Sequence, residues 1–177
     1  MAYKKLRAAL IGMSHVHVHN LTRDFQRYPE RLEIIGIADV PPYTDEEREM
    51  RIKFNVPECL GLKIWDYKEL LAQDIDVAIV TTDIKDHARV AEEILAMGIN
   101  VVAEKPMALD MEDARRMYRA AHKSTAELII NWPIAWFPAF RKAKELADSG
   151  VIGDVLRVHY RSPSTRGPYQ LNQYTPE

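Results

Sequence analysis

Short apolar runs alternate with longer stretches of helical periodicity along most of this chain. The apolar runs are rich in Ile, Val, Leu and Ala and predict strands over residues 6–11, 32–39, 63–65, 76–81, 99–103 and 127–131. Between them the apolar residues recur at helical spacing, which predicts helices over residues 15–28, 45–54, 66–72, 83–97 and 110–123. This alternation is typical of an α/β fold in which helices cover both faces of a doubly wound parallel sheet.

A glycine turn follows the first predicted strand and leads into the first predicted helix. Dinucleotide-binding turns carry glycine at the bend, a second small residue near the pyrophosphate, and a third where helix packs on strand. These places hold Gly12, Ser14 and His17. Gly12 fits the first place and Ser14 is a tolerable substitution at the second, but His17 is a bulky departure from the small residue expected at the third. Because the first amides of a helix attract phosphate, the turn and helix start predict a cofactor site. Its members are Gly12, Met13, Ser14, His15 and Val16.

Asp39 ends the second predicted strand, somewhat more than twenty residues after the glycine turn. A carboxylate at this place can accept hydrogen bonds from both hydroxyls of an adenosine ribose. It would repel the extra phosphate of NADP, and the residues that follow, 40–42, offer no arginine to hold one. The sequence therefore favours NAD over NADP. The alternative is a polar strand end at a proline-rich turn.

The tripeptide Glu104-Lys105-Pro106 follows the fifth predicted strand. The carboxyl ends of parallel strands are where α/β sheets bind their ligands. Pro106 has no backbone N–H and biases Lys105 toward an extended backbone, so the ammonium is expected to project from a stiff strand end. Lys105 is therefore the candidate catalytic residue, and Glu104 is a candidate part of the cofactor site.

Taken in order along the chain, these features resemble the Gfo/Idh/MocA family of NAD(P)-dependent oxidoreductases, which includes glucose-fructose oxidoreductase and inositol dehydrogenase. The markers are the Gly12 turn, Asp39, His87 after the fourth strand, the segment 104–106, and the segment 149–154. The resemblance implies a Rossmann fold and hydride transfer between a nicotinamide and a hydroxyl of a sugar or cyclitol.

The resemblance also implies roles for individual residues. Lys105 would lie beside the nicotinamide and the substrate hydroxyl, Asp39 would hold the adenosine ribose, and the Lys105–Pro106 bond is a candidate for the cis form. Thr82 and His87, at and after the end of the fourth strand, would flank the nicotinamide side of the cofactor, and Thr81 is a further candidate cofactor-binding residue. Where the family usually carries Thr-Pro-Asn, this chain has Thr82-Asp83-Ile84, so Asp83 is a further candidate for a ribose hydroxyl.

The resemblance divides the chain into two parts. Residues 1–131 would form the NAD(P)-binding domain, and residues 132–177 the incomplete start of a second, α+β domain for substrate binding and homo-oligomer formation. In the family that domain supplies an Asp-x-x-x-His segment for proton transfer, and the chain ends at Glu177 before any such segment.

Composition narrows the range of partners. The net charge is −2 with acidic and basic residues interspersed, which indicates no nucleic-acid surface and no polybasic membrane anchor. No apolar run is long enough to span a bilayer. Cys59 is the one cysteine, which excludes an internal disulfide and fits a cytoplasmic location.

Two other functional classes remain open from the residues. His15 and His17, spaced by one residue after an early strand, also resemble the start of a metal site in barrel-type hydrolases, since neutral imidazoles bind zinc well. That interpretation needs further ligands and a longer chain. The other alternative is a nucleotide-binding or sensing module without catalysis, which the missing second domain keeps open.

Overall fold

The computed structural model describes residues 4–15, 17–56 and 58–160. Val16, one of the predicted cofactor residues, lies outside these ranges. The strands are β1 (Leu6–Ile11), β2 (Leu32–Ala38), β3 (Ile64–Trp65), β4 (Val77–Val80), β5 (Asn100–Glu104) and β6 (Leu128–Asn131). The α-helices are α1 (His17–Phe25), α2 (Asp45–Asn55), α3 (Tyr67–Leu71), α4 (Ile84–Ala96), α5 (Met111–Lys123) and α6 (Pro138–Asp148).

The strands form one six-stranded sheet in the order β3-β2-β1-β4-β5-β6, and every neighbouring pair is parallel. The predicted doubly wound α/β fold is therefore confirmed. The order reverses at the centre, where β1 pairs with β2 on one side and β4 on the other. Open sheets of this kind bind ligands in the crevice beyond the carboxyl ends of the strands, at this reversal.

Two apolar layers pack on opposite faces of the sheet because side chains alternate along each strand. On β1, Ala9 and Ile11 belong to one layer, which also contains buried residues of α3, α4 and α5. Ala8 and Leu10 belong to the other layer, which includes Val18 of α1. Each fully buried Leu or Ile contributes roughly 1.5–3 kcal/mol relative to exposure, so both layers hold helices firmly on the sheet.

Helix starts in the structure follow the capping signals in the sequence. Thr44 caps α2 in a capping box with Glu47, and Asp66 and Asp110 cap α3 and α5 through their carboxylates. Helix α1 begins at His17, two residues later than predicted. Because each of these helices follows a parallel strand, its N-terminus lies at the carboxyl edge of the sheet, where the predicted functional residues lie.

The chain divides into two compact units, Met1–Asn131 and Trp132–Glu177. The first contains the sheet. The described part of the second contains a short 3₁₀-helix (Pro133–Trp136) and α6, elements that the sequence analysis did not assign. Within it the rings of Phe140 and Tyr160 are in contact, with centroids 5.4 Å apart. Among the described residues, no helix combines the length and apolar character needed to cross a bilayer.

Candidate functional site

Four strands deliver the predicted residues to one edge of the sheet. β1 leads into Gly12, β2 into Asp39 and β4 into Thr81, while β5 ends at Glu104. All of these strands are parallel, so their carboxyl ends meet at the same edge. The described members of the predicted site that follow these strand ends are Gly12, Met13, Ser14, His15, Asp39, Thr81, Thr82, Asp83, Glu104 and Lys105.

Gly12 occupies the point at which the β1 and β4 loops touch. Its φ is 100°, and a Cβ atom there would lie 2.6 Å from both the backbone N and the Cγ2 of Thr82. The loops are joined by hydrogen bonds, because the Thr81 hydroxyl donates to the Gly12 carbonyl at 2.8 Å. Only glycine fits this backbone and this spacing. The Thr81 side chain is fully buried, so its hydroxyl serves the fold.

The loop after Gly12 is held in place by hydrogen bonds to its backbone atoms. Asn55, at the end of α2, donates to the carbonyl of Met13 at 2.7 Å and to that of Ser14 at 3.4 Å. The His15 N–H donates to the Thr81 carbonyl at 3.2 Å. Met13 is fully buried, so its side chain belongs to the core and it contributes only its backbone to the loop. The sequence analysis did not predict the role of Asn55, which depends on a contact between distant segments.

The Asp39 carboxylate is buried, with 2% of the residue exposed, and both of its oxygens have partners. Oδ1 accepts hydrogen bonds from the backbone N–H groups of Met13, at 3.3 Å, and Val40, at 3.0 Å. Oδ2 accepts from the Arg51 guanidinium at 3.0 Å. The sequence analysis found no arginine in the residues directly after Asp39. The structure brings one there from α2, because the helix packs back toward the strand end.

Arg51 also contacts Asp83, across the end of β4. Its Nη2 lies 3.4 Å from the Asp83 carboxylate, while its Nη1 is bonded to Asp39. The Asp83 side chain is 44% exposed and that of Arg51 is 23% exposed. The predicted ribose contacts, Asp39 and Asp83, thus share one guanidinium at the carboxyl edge of the sheet.

Glu104 is buried beside Lys105 and joins β5 to its neighbours. It is 1% exposed, and its Oε1 accepts from Asn131 of β6 at 2.9 Å. Its Oε2 accepts from the backbone N–H of Lys105 at 3.2 Å. The Lys105–Pro106 peptide bond is cis, as the family resemblance suggested. Lys105 itself is partly exposed at the edge.

His17 stands at the third glycine place of the fingerprint and faces Glu104. Its Nδ1 lies 3.2 Å from Oε2 of Glu104, and its ring meets that of His15 edge-on with centroids 4.3 Å apart. The His17 backbone N–H donates to Nδ1 of His15 at 3.1 Å. Burial, together with the neighbouring His17, lowers the pKa of His15 to about 4, so its ring is neutral at pH 7.

His15, His17 and Glu104 also form the one group of at least three potential metal ligands within the described ranges, with one atom from each inside 4.8 Å. Several of their polar atoms already have partners within the protein, because His15 Nδ1 accepts from the His17 amide and Glu104 accepts from Asn131 and Lys105. The open parallel sheet is also not the barrel that the hydrolase interpretation requires. That interpretation is therefore wrong about the fold.

His87 of α4 is buried near the loop that follows Lys105. Its Nδ1 donates to the carbonyl of Pro106, at 3.1 Å, with that of Met107 3.3 Å away. The Nε2 atom is buried and has no hydrogen-bond partner among the described residues. Burial lowers the pKa of His87, so the ring is neutral and Nε2 is an acceptor. His87 thus links α4 to the loop that follows Lys105.

Comparison with known proteins agrees with this geometry. Residues 6–132 match the Gfo/Idh/MocA profile, described as an oxidoreductase family with an NAD-binding Rossmann fold. The chain belongs to this family. The first unit is therefore an NAD(P)-binding Rossmann domain of the Gfo/Idh/MocA type, and the markers at Gly12, Asp39 and Glu104 lie at the ends of β1, β2 and β5.

Two curated relatives illustrate the range of the family. Inositol 2-dehydrogenase of Salmonella typhimurium is 33% identical over 172 residues, covering 95% of this chain and 49% of that protein. A 1-carboxy-3-chloro-3,4-dihydroxycyclohexa-1,5-diene dehydrogenase of Comamonas testosteroni is 31% identical over 130 residues, covering 73% of this chain and 31% of that protein. The chain thus spans half or less of the length of these relatives.

A solved structure shares the fold. The WlbA dehydrogenase of Chromobacterium violaceum, in complex with NADH and UDP-GlcNAcA, superposes with a TM-score of 0.69 at 26% identity. The superposition covers 86% of this chain and 42% of that one. The parallel sheet and its carboxyl edge are therefore the part of the family fold that this chain contains.

Proposed function

We propose that this Gfo/Idh/MocA chain is the cofactor-binding part of an NAD-dependent oxidoreductase that transfers hydride between the nicotinamide and a hydroxyl of a sugar or cyclitol. The observation that carries the proposal is the convergence of the Gly12 turn, the buried Asp39 and Lys105 on one edge of the sheet. A bound dinucleotide needs these three features together: a close backbone approach, a ribose acceptor and a polar group at the reactive end.

The residues at the edge fit such a cofactor. Gly12 lets the β1 and β4 loops approach closely at the carboxyl edge, and the loop that follows it is already held by Asn55. The buried Nε2 of His87 is an acceptor in need of a donor, and a nicotinamide carboxamide carries one. The nicotinamide, when bound, supplies the hydride acceptor or donor.

Lys105 is the proposed catalytic residue. Its ammonium would donate a hydrogen bond to the substrate oxygen and stabilise negative charge that develops there. Glu104, through its bonds to Asn131 and the Lys105 N–H, would hold the backbone from which the lysine projects. The proton-transfer pair of the family belongs to the second domain, so complete turnover is proposed for the full-length protein.

NAD is the proposed cofactor in preference to NADP. Asp39 and Asp83 bring two carboxylates to a region that holds one guanidinium, so the formal local charge of these three groups is negative. A negative environment disfavours the additional phosphate of NADP. The proposal also includes a cytoplasmic location and assembly of identical copies through the second domain.

The substrate class follows from relatives that act on ring hydroxyls, such as inositol 2-dehydrogenase. A second candidate function is a nucleotide-binding or sensing module without catalysis. The observation that favours it is that the described residues of the predicted cofactor site already meet at one edge of the sheet, and an edge that binds a nucleotide does not by itself require turnover.

Calorimetric titration with NADH tests the cofactor part of the proposal, and we expect saturable binding at one site per chain. Lys105→Met should leave NADH affinity within about twofold and lower turnover of cyclitols or aldoses by the full-length protein at least about a hundredfold. Lys123→Met, at the exposed end of α5, is the matched control and should change neither quantity. Absence of NADH binding would refute the oxidoreductase, while NADH binding without turnover in the unmodified full-length protein would favour the sensing module.

A further inference from the structure

Arg51 has two carboxylate partners, and they differ in how firmly each is held. Asp39 is buried, with 1% of its side chain exposed, and it also accepts two backbone N–H groups. Asp83 is 44% exposed and 3.4 Å from Nη2 of Arg51. The Asp39 contact is therefore part of the folded core, whereas the Asp83 contact can be exchanged for another anion at small cost.

The backbone position of Asp83 makes its orientation informative. Asp83 is the N-cap residue of α4, yet its side chain makes no capping hydrogen bond. The acids at the equivalent positions of α3 and α5, Asp66 and Asp110, both cap their helices. An N-cap hydrogen bond is typically worth about 1 kcal/mol. Asp83 instead points its carboxylate to Arg51, so it is the guanidinium that determines where this side chain lies.

Asp39 marks the place of the adenosine ribose under the proposed function, and Arg51 is 3.0 Å from it. The guanidinium is thus within reach of the ribose position to which NADP attaches its extra phosphate. Arginine is well suited to bind phosphate, because its planar fork donates two parallel hydrogen bonds. In this chain Asp83 occupies the Nη2 side of that fork.

We propose that Asp83 is a cofactor-specificity residue: it occupies Arg51 and adds a negative charge, and by both effects it excludes NADP. This inference rests on the proposed function, since it needs a dinucleotide whose ribose lies at Asp39. It differs from the exclusion expected of Asp39 alone, because it assigns the choice between NAD and NADP to a pair formed by α2 and the end of β4.

The expected size of the effect follows from simple electrostatics. In general, a phosphate with close to two negative charges that approaches within about 7 Å of a carboxylate, at an effective dielectric constant of about 40–80, is repelled and binds roughly tenfold to fiftyfold more weakly. Neutralising Asp83 removes this repulsion and releases Nη2 of Arg51. The ratio of NADPH affinity to NADH affinity should therefore rise at least about tenfold in Asp83→Asn.

The experiment measures NADH and NADPH dissociation constants by calorimetry for the unmodified chain and four variants. The variants are Asp83→Asn, Arg51→Gln, the Asp83→Asn/Arg51→Gln double variant, and Asp86→Asn. Asp86 lies one turn further along α4 and pairs with Arg89, so it provides the same change of charge away from Arg51. Thermal unfolding of each variant verifies that it is folded under the conditions of titration.

The inference is supported if Asp83→Asn gains NADPH affinity, if the gain disappears when Arg51 is also replaced, and if Asp86→Asn shows none. An unchanged NADPH affinity in Asp83→Asn, with NADH binding intact, overturns the inference and leaves the proposed function standing. An equal gain of NADPH affinity in Asp86→Asn also overturns the inference, and so does a gain that remains when Arg51 is replaced. In either case the effect would come from the net charge of the protein and not from the pair of Asp83 and Arg51. If the unmodified chain binds neither nucleotide, the proposed function itself fails and the inference fails with it.

Discussion

Replacement of Gly12 by alanine tests the contact that joins the β1 and β4 loops. The new Cβ would lie 2.6 Å from two atoms of Thr82 and 2.7 Å from its Cα, and two of these three atoms are backbone. The backbone at Gly12 also has a φ of 100°, which an L-residue adopts only with strain. Strain of this type costs about 1–2 kcal/mol, and overpacking against a rigid neighbour costs about 1–3 kcal/mol more. The expected loss of unfolding free energy is therefore about 2–5 kcal/mol.

Gly61→Ala separates the two contributions. Gly61 also has a positive φ, of 61°, but an added Cβ there would meet no atom within 4 Å among the described residues. It should therefore show only the backbone strain, about 1 kcal/mol. Urea unfolding measures both changes as shifts of the midpoint at constant m-value. NADH titration should in addition show weaker binding for Gly12→Ala than for Gly61→Ala, because only the former displaces the cofactor loop.

The reasoning would be refuted if the two alanine variants lost the same unfolding free energy. That result would mean that the loop at Thr82 moves freely and that the close approach at Gly12 carries no cost. A loss of stability at Gly12 with unchanged NADH affinity would separate the turn from the cofactor site.

Two further predictions concern buried and paired polar groups. In urea unfolding, His87→Ala should lose about 1 kcal/mol more unfolding free energy than His87→Asn, because the asparagine Nδ2 can replace the histidine Nδ1 as donor to the Pro106 carbonyl. Equal losses in the two variants would show that this hydrogen bond is unimportant. Hydrogen bonds from Lys4 and from the Arg7 N–H lower the pKa of Asp76, so its stabilisation is present above about pH 4 and is lost as pH falls through the lowered value. Unfolding free energy measured from about pH 5 to pH 2 should therefore decline less steeply in Asp76→Asn, and an identical decline would contradict this assignment.

Local pattern was sufficient for the fold and for much of the candidate site. The apolar strands and the acids at helix starts depend on residues close together in sequence, and the described sheet and the caps of α2, α3 and α5 follow them. Because the strands are parallel, their order along the chain also places Gly12, Asp39, Thr82 and Lys105 at one edge. These conclusions require only the periodicity of apolar residues and the direction of the strands. They do not depend on which side chains are in contact.

Contacts between distant segments were decided only by the tertiary structure. Arg51 of α2 reaches Asp39 and Asp83, and His17 of α1 faces Glu104, although these partners lie far apart in the sequence. Met13 enters the core although it belongs to the predicted cofactor loop. The physical reason is that secondary structure depends on neighbours a few residues apart, whereas the partner of a charged side chain depends on how helices pack, which the local pattern does not specify.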